Sequence, residues 1–251
     1  MKVGIATVGL GNHYPQLVAR MLQRFDAVSP GYNVQAWVNT TPPGTPFTFV
    51  DSYNYTAYAA KPFAMHALQF DGCDIAILLD AAFYPVRDIK PLIDHIEEVG
   101  YYFCNNEFKV GEWCSDACMK EFGLTREALW QIPELSSYCV GLDLRRGECK
   151  QLLAQWRSAA YNQRMIAGRH TAGGVGRNHG FVSDDPAVKG HRHDQTVLSI
   201  IAYQFGMQEL VKRPKLTAYA AMEWNEENHA LHPNEETVLV NWGQLNVRFD
   251  E

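Results

Sequence analysis

The stretch that decides the fold is Asp74-Ile-Ala-Ile-Leu-Leu-Asp80, five consecutive apolar residues closed at each end by a carboxylate. A strand with one wet face alternates apolar and polar side chains. A run that is apolar at every position fits a strand covered on both faces, as in the parallel sheets of α/β proteins. Upstream, Tyr58 to Phe70 has a helical pattern and Val34 to Val38 reads as a strand, with a loop between them marked by Pro42, Pro43, Gly44 and Pro46. Further back, Lys2 to Val8 is β-rich and runs through Gly9-Leu-Gly11 into a helical pattern from Tyr14 to Phe25, where Leu17, Val18, Met21 and Leu22 share one face. The order is βαβαβ.

Downstream, helices are expected at Asp88–Val99, Glu148–Ala160 and Asp194–Phe205, and strands at Tyr101–Cys104 and Cys139–Leu144. No internal repeat, linker or charge block divides the chain. The expectation is therefore an α/β fold, one domain over residues 1–251 with a mostly parallel central sheet.

With 251 residues, such a domain buries about three quarters of its unfolded surface and needs no staples. The composition, 47% hydrophobic and 20% charged, is that of a globular chain rather than a disordered one. A net charge of −6 argues against a surface built to grip a phosphate polymer. The opening residues lack the apolar core of a signal peptide, and no apolar run approaches the length of a membrane span, so a cytoplasmic, soluble protein is expected. In that setting the six cysteines read as reduced thiols. A second reading has Cys104, Cys114 and Cys118 binding zinc with a distant histidine, although the spacing is not that of paired CxxC motifs.

Three segments carry polar chemistry. Gly9-Leu-Gly11 stands where a glycine turn can cradle a pyrophosphate, but Tyr14 replaces the third glycine of the dinucleotide fingerprint; a tight turn explains it equally well. Asp80 ends the apolar strand at the place where open α/β sheets bind ligands. One carboxylate there suffices for a phosphate-bound divalent ion, the alternative being a strand-end turn residue. Gly190-His-Arg-His-Asp-Gln195 precedes an amphipathic helix. Asp194 is a natural helix cap, whereas His191, Arg192 and His193 in a row suit a cluster aimed at phosphate and hydroxyl groups. Glu134 is a candidate acceptor-side base or a solvated loop carboxylate.

Taken in order, these segments resemble the GT-A glycosyltransferases, a Rossmann-related fold, and among them the glycogenin-like families. Ile5-Ala-Thr-Val-Gly-Leu-Gly-Asn-His-Tyr14 resembles the first strand and loop that hold the nucleotide, which implies donor contacts at Ala6, Thr7 and Tyr14. Ala60-Lys-Pro-Phe-Ala-Met65 is similar to the lysine-bearing helix before the metal-site strand, and Ile77 to Asp88 resembles that strand with its DxD motif, Ala82 standing at the second acidic position. Ser136 to Asp143 resembles the small-residue segment lining the sugar site, and His191-Arg-His-Asp-Gln195 the late motif that contacts the transferred sugar.

The resemblance implies transfer of a sugar, with retention, from a nucleoside diphosphate (a UDP-sugar) to an acceptor hydroxyl. Lys61, Asp80, Arg192 and His193 would bind the donor, and Asp194 and Gln195 would orient the sugar. A Mn²⁺ or Mg²⁺ ion would sit on Asp80 and His232, with His229 a second candidate. A glycan, a protein, a small molecule and a modified nucleic-acid base all remain open as acceptor. Nucleotidyl transfer on the same fold and a degenerate nucleotide- or carbohydrate-binding module, the latter suggested by Ala82, are the alternatives.

Overall fold

The computed structural model describes residues 1–10, 14–38, 48–49, 58–166, 182–207, 211–212, 220–221 and 238–241. Its centre is a sheet in the order β3-β2-β1-β4-β7-β6-β8. The strands are β1 (Val3–Gly9), β2 (Asn33–Val38), β3 (Thr48–Phe49), β4 (Ile75–Asp80), β6 (Tyr101–Lys109), β7 (Pro133–Asp143) and β8 (Val211–Lys212). All run in one direction except β7, which is antiparallel to both β4 and β6. The expected mostly parallel α/β sheet is thus present. A smaller sheet joins β5 (Phe83–Pro85), β9 (Ala220–Ala221) and β10 (Leu239–Asn241).

β4 is the stretch that was apolar throughout, and Ile75 to Leu79 have no exposed surface. One face carries Ile75, Ile77 and Leu79 against α1 (Tyr14–Val28) and α3 (Lys90–Val99), through Met21, Phe25, Leu92 and Ile96. The other carries Ala76 and Leu78 against α2 (Ala60–Phe70), α6 (Gly147–Ala160) and α8 (His193–Gln204), through Met65, Leu68, Trp156 and Val197. Burial on both sides is what a continuous apolar run encodes. Between the later strands lie three short helices: α4 (Asp116–Glu121), α5 (Arg126–Leu129) and α7 (Gln163–Ile166).

Two strands are longer than the pattern suggested. β6 continues past Cys104 to Lys109 through two register shifts, and β7 begins at Pro133 rather than Cys139. The missed half of β7, Glu134 to Ser137, has three polar residues around Leu135, yet all of it is buried. Because β7 runs against β4, this half lies at the edge where β4 ends, and it contributes to the site. No helix among the described residues is long and apolar enough to cross a membrane.

Candidate active site

β1 and β4 are parallel neighbours with Val8 opposite Asp80, so both finish at the same sheet edge, the usual ligand edge of such folds. Asp80 ends β4 with its side chain one third exposed. Lys61, in the first turn of α2, places its ammonium 3.4 Å from Asp80 Oδ2 and 3.5 Å from Asp194 Oδ2. It also donates to the Ser137 carbonyl and hydroxyl oxygens, each at 3.2 Å. Burial pulls the Lys61 pKa down, but Asp194 and Asp80 more than offset it and hold the amine firmly charged. α2, β4, β7 and α8 therefore meet at one cation.

Asp194 is 2% exposed and belongs to the first turn of α8, where no side chain caps the helix. The cap role open to it in the sequence is corrected: its carboxylate pairs with Lys61, and its own carbonyl accepts from the indole of Trp156 at 3.1 Å. His193, just before it, has a φ of 50°, a left-handed conformation that is strained for a residue with a Cβ. Its Nδ1 lies 2.7 Å from the Ile166 carbonyl, and its ring stacks on Tyr58 with centroids 4.0 Å apart. These two contacts hold the left-handed backbone in place. Gln195 accepts from the Ser137 N–H at 3.3 Å and stays partly exposed.

Glu134 is not in a solvated loop: it sits on β7 with no exposed surface. Its Oε2 accepts from Arg192 at 2.6 Å and from Asn106 at 2.9 Å. Burial pushes its carboxyl up to about 7, against the opposing pull of Arg192, Asn106 and Gln195. Arg192 also lies over the Trp113 ring, its Cζ 3.9 Å from the centroid, with Phe108 at 4.7 Å. The run His191-Arg192-His193 is accordingly not one phosphate-facing cluster. Arg192 turns to Glu134, His193 to Tyr58, and His191 points into the core, because side chains adjacent in a chain leave the backbone in different directions.

Thr7 does not join the site. Its register partner is Leu79, not Asp80, so its side chain lies on the α1 and α3 face, where Oγ1 is buried and makes no hydrogen bond among the described residues. Ala6 is on the site's face but wholly buried in the core beneath it. Tyr14 opens α1, 45% exposed, within electrostatic reach of Tyr58. Tyr58 was not anticipated. Its half-exposed ring stands over His193, and burial, then the charge of Asp194, raises its phenol pKa. Only its place just before the lysine-bearing helix marked it in the sequence. His229 and His232 lie outside the described residues.

The same arrangement of strands and helices occurs in a bifunctional glycosyltransferase, WbbM, in its apo structure: TM-score 0.57, 10% identity, 98% of this chain and 46% of that one. The two share a fold. This chain thus spans less than half of that protein's length. No protein-family model matches the sequence. No curated protein matches it either.

Proposed function

We propose that this chain is a glycosyltransferase that moves a sugar from a nucleoside diphosphate, a UDP-sugar, to an acceptor hydroxyl. The observation that carries the reading is the Lys61 ammonium, held between Asp80 at the ligand edge and Asp194 at the start of α8. A leaving diphosphate needs a positive charge fixed before it departs, and fixed charge in a poorly hydrated site is the largest catalytic term such a reaction has. Lys61 would supply it together with a divalent ion on Asp80, which offsets the second carboxylate, and four oxygen contacts hold the ammonium in place. Asp194 and Gln195 lie beside it to meet the sugar hydroxyls. Tyr58 and Tyr14 offer half-exposed rings at the same edge for the base or the sugar. Glu134 acts at one remove, as a positioning residue for Arg192 and Gln195.

A divalent cation fits only in the company of the donor, since Asp80 is the one carboxylate offered at the end of β4 and Ala82 takes the second position. Bound there, Mn²⁺ or Mg²⁺ would neutralise diphosphate oxygens. Asp80 would hold it while Lys61 keeps Asp194 in place.

Ala82 also favours a second reading, a binding module without turnover. A thermal-shift screen of nucleotide sugars with and without Mn²⁺, followed by donor hydrolysis, separates the two. With a nucleotide sugar, release of nucleoside diphosphate supports the enzyme and binding without release supports the module; in a parallel assay, pyrophosphate released from a nucleoside triphosphate and a sugar 1-phosphate points to nucleotidyl transfer.

A further inference from the structure

Cys114 and Cys118, from one turn around the start of α4, meet His191 in the core, each with no exposed surface. One donor atom from each lies within 4.8 Å of the other two. Cys104, grouped with the thiols in the sequence reading, is elsewhere, on β6 with its sulfur 2.7 Å from the Tyr138 hydroxyl. We propose that Cys114, Cys118 and His191 form a zinc site that ties the α4 turn to the start of α8.

The orientation of His191 carries the argument beyond proximity. Its Nε2 lies 2.8 Å from the Met165 carbonyl, which can only accept, so that nitrogen bears the hydrogen. The lone pair then falls on Nδ1, which faces the Cys114–Ser115 turn and receives the Ser115 N–H at a long 3.3 Å. A metal-bound histidine ordinarily donates its other ring N–H to a carbonyl in this way, which fixes both tautomer and ring angle. The thiols are held as firmly. Ser115 caps α4 by accepting from the Cys118 N–H at 3.1 Å, and the Cys114 carbonyl accepts from Arg126 at 2.7 Å.

Two thiolates and a neutral imidazole suit zinc, whose bonds of about 2.3 Å to sulfur and about 2.0 Å to nitrogen require only a small closing of the cluster. Binding displaces both thiol protons to solvent, and the resulting charge of two plus and two minus is neutral, as a buried site needs. Among the described residues no fourth ligand joins these three. The clip has a visible consequence: His191 begins the segment through which Arg192, Asp194 and Gln195 reach the active site.

The test uses the whole chain, purified under reducing conditions without chelator. Mercurial titration with a metallochromic indicator should release one zinc per chain. Exchange for Co²⁺ should give a tetrahedral spectrum with thiolate charge-transfer absorption, weakened in Cys118→Ser, lost in the Cys114→Ser/Cys118→Ser double variant and unchanged in Cys73→Ser. Should the variants fail to fold, the wild-type chain still decides. A reduced chain that carries no zinc and takes up neither Zn²⁺ nor Co²⁺ overturns the proposal. So does a charge-transfer band that survives in the double variant, or a metal other than zinc in the purified protein.

Discussion

Lys61 Nζ lies 3.5 Å from Asp194 Oδ2, and that contact joins a helix preceding β4 to one that begins more than a hundred residues later. The ammonium answers two carboxylates at once, one buried and one partly exposed. Removing it leaves Asp194 charged and enclosed. Breaking a buried pair from one side costs about 3–5 kcal/mol, whereas removing both partners costs far less. Lys61→Met should therefore lower the unfolding free energy by that order, and adding Asp194→Asn should restore a large part of it. A double-mutant cycle from urea unfolding measures this; strictly additive losses would show that the contact is not coupled.

Glu134 makes stability depend on pH with a definite sign. Its folded carboxyl titrates at about 7, above the ~4.3 of an unfolded glutamate, because burial outweighs Arg192, Asn106 and Gln195. The folded state thus holds this proton more tightly than the unfolded one. Its contribution is complete below about pH 4.3 and disappears as pH rises through about 7. Glu134→Gln keeps an acceptor for Arg192 but removes the titration, so the variant's Tm relative to wild type should climb across that window. Parallel Tm profiles would show that the Arg192 pair keeps Glu134 ionised throughout.

Much of this site was legible, for a reason visible in β4. An unbroken apolar run ending in aspartate announces a buried parallel strand and its functional edge together, and Asp80 is where that pattern placed it. Asp194 and Gln195 stood out in the polar run Gly190–Gln195, and Lys61 followed by resemblance. Register was not legible: Thr7 is one residue from Val8, and a one-residue offset moves a side chain to the opposite face. Nor was the buried half of β7, since Glu134 and Ser137 look like a loop until Arg192, Lys61 and Gln195 pair with them. The separate directions of His191, Arg192 and His193, with a left-handed backbone at His193, could not be placed from residue type, since histidine only mildly favours that conformation.

Gly9 is a glycine because of crowding rather than a special backbone angle. A Cβ there would come within 2.6 Å of Val18 Cγ2 and 3.1 Å of the Tyr14 carbonyl oxygen, where α1 folds back over the end of β1. Backbone cannot yield as a side chain does. Gly9→Ala should cost about 1–3 kcal/mol, the usual price of overpacking, and shift α1 and Tyr14. Denaturant unfolding measures the loss, and a midpoint equal to wild type would mean that the turn relaxes freely.

Asp194 and Gln195 are neighbours with separable roles, and the pair gives the most direct test of catalysis. Asp194 is enclosed and bound to Lys61, so any substitution there mixes chemistry with the loss of a buried ion pair. Gln195 is partly exposed, and its side-chain oxygen accepts the long 3.3 Å bond from the Ser137 N–H. Losing that neutral contact costs about 1 kcal/mol. If the amide also meets the sugar as charge develops, its removal forfeits an interaction that strengthens in the transition state, which lowers kcat rather than raising KM. A hydrogen bond to a charged group is worth about 1.5–3 kcal/mol, so Gln195→Ala should lower kcat roughly 10- to 100-fold. Nucleoside diphosphate release with the donor found by the screen, read beside Tm, checks this. Full kcat with only a lowered Tm would assign Gln195 to holding β7, and the sugar contact would then rest on Asp194 alone.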